Sequence, residues 1–483
     1  MLDNLKDFAD KTGDFLQKNI KWDVLQGILQ KNSETMSNSS SAYEVLSVIL
    51  PSVLLVFICT TLTTVYSSKL EKIRWRYVCD FCIVAVPQIF NITVLVSDIH
   101  IVHSLTSLIS LCVIILAYAN RRGNKYKNVN FGDKKGFVTN VRSTTNILTV
   151  IAILAVDFKI FPKQFKKQLK YGYSLMDVGV GLFVYANAIV APEIRTRDNS
   201  LKKSFIDTVP LIILGIGRYV ATTLTDYNVS ITEYGKHWNF FITLAFTRII
   251  ASIILIYLPI KFSAIYGILM LVFHEVILQN GLAEYVMGSS HRNNFFSANR
   301  EGIVSTLGFV GLYFLSISVG IWMNLKERGM NSLLVKFTII CVILLPTTFT
   351  LEHHFGVSRR LANSAYCVWI LFLGVFVTAL FYVTEIFQRF LYERCGFANH
   401  ITVPFLLDAI NYNGLIYFLL ANILTGFVNM SCDTMFVEPT TSLFILIAYV
   451  CVTSIVVSFM YVHKINLKVI VSYLTKPKRK SMI

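Results

Sequence analysis

Residues 147–172 read ILTVIAILAVDFKIFPKQFKKQLKYG, and this stretch decides the class of fold. The apolar run to which it belongs, 144–161, is close to the roughly 20 residues with which a helix crosses a bilayer. The run carries a carboxylate, Asp157, one turn before its end. Pro162 follows, which lacks an amide N–H and disfavours helical geometry in the residue before it, so the helix should end or bend there. The stretch therefore predicts a membrane span that leads into a charged segment at the membrane surface.

Apolar runs of this length recur along the whole chain. Of its 483 residues, 54% are hydrophobic and only 15% are charged, whereas an ordinary soluble domain carries about 25% charged residues. So few charges cannot cover a water-facing surface, which excludes a soluble protein. The sequence predicts an all-α fold, a polytopic transmembrane helical bundle with about 13 transmembrane helices. The predicted spans are 44–66, 75–96, 100–119, 144–161, 173–192, 205–224, 238–258, 262–282, 302–324, 332–350, 362–384, 414–431 and 440–463.

The chain is basic, with a formal net charge of +16. The cations lie mostly in short loops between apolar runs, where anionic lipids and the positive-inside rule account for them, so we expect no nucleic-acid partner. The basic loops are cytosolic on this rule, and they are 67–76, 120–143 and 193–204. The C-terminus is then cytosolic as well, and the N-terminus lies on the opposite side, called the far side below.

The chain divides into three parts on these grounds. Residues 1–43 form a polar segment with near-helical spacing of its apolar residues and no signal-peptide pattern, which is typical of an amphipathic segment. Residues 44–463 form a single transmembrane domain. Residues 464–483 form a basic cytosolic tail that contains KPKRK.

A group of lysines follows the first quoted span. Lys163, Lys166, Lys167 and Lys170 have the spacing of one helix face, which predicts a short interfacial helix with its ammonium groups at headgroup level. Lysines in such positions commonly reach lipid phosphates and do nothing more. Asp157 is different, because a partly desolvated carboxylate needs a partner, and a lysine brought back over the helix end could supply one.

Three far-side stretches are rich in polar and aromatic residues, namely 231–241, 291–302 and 356–363. Ionisable and amide groups at membrane depth are costly, so their gathering on one face favours a polar chamber that opens to the far leaflet. We predict that this chamber binds substrate, and arginines in it would bind a phosphate group if the substrate carries one. The predicted substrate-binding residues are His237, Asn239, Asn299, Arg300, Arg359, Arg360 and Asn422.

Other kinds of chemistry have little support. The nine cysteines are scattered, and Cys79 and Cys82 form a lone CxxC without a second pair, so packed thiols are favoured over a metal or redox site. No metal site is predicted. His274 is the deepest histidine, and it is a weaker candidate for a catalytic base than Asp157.

Several blocks, taken in order, resemble a known family. They are VDFKIFPKQFKK (156–167), YGYSLMDVGVGLFVYAN (171–187), TEYGKHWNFF (232–241), FFSANREGI (295–303), VSRRLAN (357–363) and NGLIYFLLANILTGFVNMS (413–431). The chain is similar through them to the inositol acyltransferases of glycosylphosphatidylinositol (GPI)-anchor synthesis, the GPI-anchored wall transfer proteins of fungi and PIG-W of animals. The fungal branch fits best, and residues 145 to about 460 are covered well.

The resemblance implies a multi-pass enzyme of the endoplasmic reticulum membrane. This enzyme moves a palmitoyl group from palmitoyl-CoA to the inositol ring of glucosaminyl-phosphatidylinositol, and it needs no cofactor beyond the acyl donor. It also implies that Asp157 and Lys167 are the catalytic pair, with Asp157 as general base, within a transmembrane acyltransferase domain at 44–463.

Two other classes stay open at this point. A multi-span lipid transporter or flippase would use the same polar chamber but would move its substrate without acylating it. A non-catalytic subunit of a larger assembly would tolerate loss of the Asp157 carboxylate. The sequence does not decide the acyl-chain length, the oligomeric state or the route of acyl-CoA entry.

Overall fold

A computed structural model gives the fold of residues 40–70, 72–121, 135–195, 201–224, 230–289, 291–324, 330–397 and 400–466. Among these residues the regular structure is helical, and the strand-like pairing is limited to one isolated bridge between Ser40 and Tyr173. The all-α prediction is confirmed. Residues 1–39 and 467–483 lie outside the described part, so the predicted segment 1–43 and tail 464–483 stay predictions.

Twenty α-helices are described, numbered in chain order. The first ten are α1 (Ala42–Ile49), α2 (Pro51–Val65), α3 (Ile73–Asp80), α4 (Val86–Ile92), α5 (Ile99–Ala119), α6 (Gly136–Ala155), α7 (Leu175–Ala188), α8 (Pro192–Arg195), α9 (Leu201–Leu224) and α10 (Ile231–Tyr234). The others are α11 (Phe240–Tyr257), α12 (Ser263–Ile277), α13 (Ala283–Met287), α14 (Phe295–Ala298), α15 (Arg300–Asn324), α16 (Met330–Phe355), α17 (Ser364–Cys395), α18 (Phe405–Tyr412), α19 (Gly414–Ser431) and α20 (Pro439–Val462).

Within the described residues, twelve helical segments are long and apolar enough to cross a membrane. They overlap twelve of the thirteen predicted spans. The remaining one, 75–96, is helical from α3 through a π-helical turn at Phe81–Ala85 to α4. The charges of Arg74, Arg76 and Asp80 lower the hydropathy of this segment, which keeps it outside the twelve.

The span that carries the quoted stretch is displaced from its predicted position. The sequence predicts 144–161, whereas α6 runs from Gly136 to Ala155. Its first turns are polar but bonded inside the protein: Asn140 Nδ2 donates to the Thr402 carbonyl at 3.0 Å and Ser143 Oγ to the Leu407 carbonyl at 2.6 Å. Because these bonds give Asn140 and Ser143 partners inside the protein, the helix can begin before the apolar run does.

Two helices form the centre of the bundle, α15 and α17. Within their most apolar windows, 89% and 72% of the residues are buried, and apolar residues surround α15, as expected of a helix enclosed by other helices. A Cβ added at Gly308 would lie 1.9 Å from the Ala362 carbonyl oxygen, so only glycine permits this approach of α15 to the loop before α17. The N-terminal ends of α7 and α15 both meet the loop before α17, through the Arg359–Asp177 and Arg360–Glu301 pairs, and polar residues gather there.

Candidate functional site

Asp157 lies in the turn that directly follows α6. Its Oδ2 accepts a hydrogen bond of 2.9 Å from Asn429 Nδ2, in the last turn of α19. Partial burial raises the pKa of Asp157, while the Asn429 hydrogen bond and the charges of Lys166 and Lys167 limit that rise. The carboxylate is therefore a stronger base than an exposed aspartate.

The predicted interfacial helix at 163–170 is not formed. Only Lys163–Phe165 makes a single 3₁₀ turn, and Lys166 is already extended, at φ −66° and ψ 157°. Phe161 and Phe165 are buried and anchor the segment. The prediction was wrong because it counted side-chain spacing alone, whereas the backbone groups that follow are bonded by other elements.

These backbone bonds come from α7 and from the loop before α17. Asp177 Oδ2 accepts from the Gln168 amide at 2.9 Å, and Ser358 Oγ donates to the Lys170 carbonyl at 2.7 Å. The Gly172 amide donates to the Val357 carbonyl at 2.8 Å. The segment 163–172 is thus fixed in an extended course that presents Lys167 outward.

Lys167 forms an ion pair that the sequence did not indicate. Its Nζ lies 2.7 Å from Glu233 Oε1, and the two side chains are 41% and 18% exposed. Burial would raise the pKa of Glu233, but the charges of Lys167 and Arg359 outweigh it and lower the value to about 2. No ion pair joins Asp157 to Lys167 in the described structure, so the close partner of Asp157 is the Asn429 amide and not the lysine we expected.

Lys167 nevertheless acts on both carboxylates. Its charge lowers the pKa of Asp157 and that of Glu233, which places the ammonium group within electrostatic range of each. The structure therefore brings Asp157 and Lys167 to one locality, with Glu233 as the direct contact of the lysine. Glu233 stands in the quoted stretch 231–241, and its charge was the signal that could have pointed to it.

A buried ion pair lies behind this locality. Arg359 Nε is 2.6 Å from Asp177 Oδ1, both side chains are 5% exposed, and the guanidinium lies over the Tyr234 ring at 5.5 Å. Burial would lower the pKa of Arg359, but Asp177 and Glu233 raise it, so the guanidinium stays charged. Arg359 was predicted to bind phosphate; here it is the counter-ion of Asp177, which the sequence analysis did not single out.

The other two predicted arginines, Arg300 and Arg360, both lie at Glu301, the second residue of α15. Arg292 joins them there. Glu301 is fully buried and accepts from Arg292 at 2.5 Å and from Arg360 Nη2 at 2.9 Å. Arg300 Nη2 donates to the Gly288 carbonyl at 2.5 Å, and its guanidinium lies over the Tyr285 ring. These contacts fasten the end of α13 to α15 and to the loop before α17. Phosphate binding by Arg300 and Arg360 stays a prediction.

Three further predicted residues hold one loop together. Asn239 caps α11 through the Phe241 amide at 3.1 Å and also donates to the Gly215 carbonyl at 2.8 Å. Asn299 Oδ1 accepts from the amides of His237 and Trp238 at 2.8 and 3.0 Å. The asparagines therefore have structural partners, and their effect is to fix the position of the His237 ring.

A cleft of about 40 Å³ opens beside this loop. We call it the Glu233 cleft, and it combines one carboxylate, two cations and four rings. These lining residues are Arg218, Tyr219, Glu233, Tyr234, Lys236, His237 and Trp238. Arg218, a charge within the predicted span 205–224, lies at the cleft.

An open groove of about 390 Å³ adjoins Asn429 and is lined by residues 429–434. Asn429, the hydrogen-bond partner of Asp157, thus lies at a surface that a substrate could reach. Asn422, also predicted to bind substrate, lies two turns away on α19, about 10 Å along the axis. Its amide donates to the Phe418 carbonyl of its own helix at 2.8 Å, and the described contacts do not bring it to the groove.

Comparison with known proteins identifies the family of the chain. The sequence profile of the GWT1 family matches residues 29–460. The mouse glucosaminyl-phosphatidylinositol-acyltransferase PIGW is 31% identical over 79% of this chain and 86% of its own length. GPI-anchored wall transfer protein 1 of Eremothecium gossypii is 33% identical over 70% and 77%, and that of Saccharomyces cerevisiae 30% identical over 81% and 89%. The chain belongs to the GWT1 family.

Proposed function

We propose that this chain is a membrane-bound acyltransferase of GPI-anchor biosynthesis that transfers an acyl group to the inositol ring of glucosaminyl-phosphatidylinositol. Membership of a family with relatives named as acyltransferases for this lipid supports the reaction class. The donor we propose is palmitoyl-CoA. The observation that supports the residue assignment is that Asp157 and Lys167 lie on one segment at the end of a membrane span, where hydrogen bonds hold them, Asp157 to Asn429 at 2.9 Å and Lys167 to Glu233 at 2.7 Å.

Asp157 is the proposed general base. The reaction requires that a ring hydroxyl lose its proton as its oxygen attacks the thioester carbonyl, and a positioned base contributes about 10²–10⁴ in rate. Burial raises the pKa of Asp157 toward the working range, which makes the carboxylate a better acceptor of that proton. The Asn429 hydrogen bond fixes its orientation.

Lys167 is the proposed stabiliser of negative charge. Attack on the thioester places a negative charge on the carbonyl oxygen, and one well-placed donor to such an oxyanion contributes about 2.7–4 kcal/mol. When the intermediate collapses, the carbon–sulfur bond breaks and CoA leaves as a thiolate, which takes the proton held by Asp157. Lys167 is exposed enough to meet a substrate, and its pair with Glu233 keeps it in place.

The place in the cell follows from the same proposal. We propose a multi-pass protein of the endoplasmic reticulum membrane with a lumenal N-terminus and a cytosolic C-terminus, since the basic loops 67–76, 120–143 and 193–204 favour the cytosol. The Asp157 locality then faces the lumen. Its partners are membrane lipids, palmitoyl-CoA and the acceptor lipid.

Substitution of the two residues in the full chain tests the assignment. Membranes that contain equal amounts of each variant are supplied with labelled palmitoyl-CoA and glucosaminyl-phosphatidylinositol, and the acylated lipid is measured. We expect Asp157→Asn, which keeps the hydrogen bond with Asn429, to lose about 10²-fold or more of the activity. Lys167→Arg should lose most of the activity, because the guanidinium places the positive charge at a different position from that of the ammonium group. Lys163→Gln, at an exposed lysine of the same segment, is the matched control and should be near normal. Near-normal product from Asp157→Asn would refute the assignment.

A further inference from the structure

The Glu233 cleft offers three kinds of contact to one ligand. Glu233 supplies a carboxylate, Arg218 a guanidinium, and the residues between 234 and 239 an aromatic wall. The His237 ring lies 5.3 Å from the Tyr219 ring, which orders the mouth of the cleft. Aromatic rings combine a large apolar face with a polar edge, so this combination suits a sugar that carries charged groups.

Glu233 keeps acceptor capacity beyond its bond to Lys167. A carboxylate accepts several hydrogen bonds through its two oxygens, and the bond from Lys167 uses Oε1. The nearby cations hold the pKa of Glu233 at about 2, after burial has been offset, so the group is a carboxylate ion at neutral pH. It can therefore accept a further cationic donor at the cleft.

We propose that Glu233 binds the ammonium group of the glucosamine in the acceptor lipid and so selects acceptors with a free amine. This inference rests on the proposed function, because it assigns a specificity residue for that reaction. The bound amine and Lys167 then share the Glu233 carboxylate. Recognition of the sugar is therefore coupled directly to Lys167, the proposed stabiliser of the oxyanion.

The charges of the locality fit a zwitterionic headgroup. Glu233 is paired with Lys167, and Arg218 and Lys236 line the same cleft, while Arg359 is already paired with Asp177. A ligand with one phosphate and one ammonium group meets both signs of charge, with the phosphate toward Arg218 and Lys236 and the ammonium toward Glu233. An N-acetylated or amine-free sugar would bring the phosphate alone and would leave Glu233 without its ligand partner.

The test compares two acceptors in two enzymes. Full-length protein, purified in detergent, receives labelled palmitoyl-CoA with either glucosaminyl-phosphatidylinositol or glucosyl-phosphatidylinositol, in which a hydroxyl replaces the amine. The amine-free lipid is measured as acceptor and as competitive inhibitor, so that its affinity is obtained even without turnover. We expect the wild type to favour the amine by about 10- to 100-fold, the range of a hydrogen bond to a charged group.

Glu233→Gln should remove this preference, leaving the two acceptors within about threefold of each other. The variant also loosens Lys167 and slows acylation of both acceptors. Because both rates fall by the same factor, this effect cancels in the ratio of the two acylation rates. Glu233→Asp should restore part of the preference, and Glu393→Gln, at an exposed glutamate in the last turn of α17, is the control that should retain all of it.

Two results would overturn the inference while leaving the reaction intact. One is a wild type that treats the two acceptors alike, and the other is a Glu233→Gln variant that is slower but keeps the wild-type ratio, which would mean that Glu233 only holds Lys167. A wild type that forms no acylated lipid from either acceptor would instead refute the proposed function itself.

Discussion

Asp177→Asn tests whether the buried ion pair fixes the Lys167 segment. Asp177 is buried and accepts three hydrogen bonds, from the Gln168 amide at 2.9 Å, from Ser174 Oγ at 3.1 Å and from Arg359 Nε at 2.6 Å. Removal of one partner leaves a buried, uncompensated guanidinium, which costs about 3–5 kcal/mol. We expect the melting temperature of the full-length protein in detergent to fall by several degrees and acyl transfer to fall with it, because the backbone next to Lys167 loses its anchor.

Matched variants separate this effect from a general loss of charge. Asp207→Asn breaks an exposed pair with Arg248, whose side chains are 40% and 21% exposed, and such pairs contribute about 0–1 kcal/mol. The double variant Asp177→Asn with Arg359→Met removes both buried charges and should recover part of the lost stability. The ion pair does not anchor the segment if Asp177→Asn melts within a degree of Asp207→Asn. The same conclusion follows if the double variant loses more stability than Asp177→Asn and a single Arg359→Met variant lose together.

Two further predictions concern pH. Asn429→Ala removes the hydrogen bond that favours ionised Asp157, so the acid limb of the pH–activity profile should move to higher pH. Asn422→Ala, on the same helix, is the control and should leave the acid limb in place. An unmoved acid limb in Asn429→Ala would exclude Asn429 as a positioning residue. The folded-state pKa of Glu233, about 2, lies below its usual value near 4.3; the stability it contributes is therefore complete above about pH 5 and is lost as the pH falls toward 2. A denaturation series in this window should show a smaller acid loss for Glu233→Gln than for the wild type, and equal losses would contradict the pairing with Lys167.

The span pattern was predictable because it depends on a local property. A helix in lipid must satisfy its own backbone, so apolar runs of about 20 residues identify it. Where the prediction failed, tertiary bonds replaced local ones. The helix α6 starts at Gly136 because α18 and the residues before it bond its polar turns, and the segment after Pro162 is extended because Asp177 and Ser358 bind its backbone.

The gathering of the three far-side stretches was predictable, whereas the partner of each charged or polar side chain was not. Charges near membrane depth indicated Asp157 and the three far-side stretches, and the structure brings those stretches together. The partners could not be read from the sequence, because Lys167 and Glu233 are 66 residues apart, and Asp157 and Asn429 are 272 apart. A sequence gives the number of available cations, but only the fold decides which carboxylate each one meets.

The position of Asp157 just beyond α6 suits the proposed reaction. An acyl chain stays among lipid tails, while an inositol headgroup and a CoA moiety are polar, so the carbonyl and the ring hydroxyl can meet only near the boundary between the two phases. A base at the centre of a span would be far from both and would bear a cost of about 2.5–3.5 kcal/mol on translocon scales. At the helix end the carboxylate is only partly desolvated, which raises its pKa while the Asn429 hydrogen bond and the nearby lysines limit the rise. The helix that ends at Ala155, two residues before Asp157, therefore sets both the depth and the basicity of the proposed catalytic group.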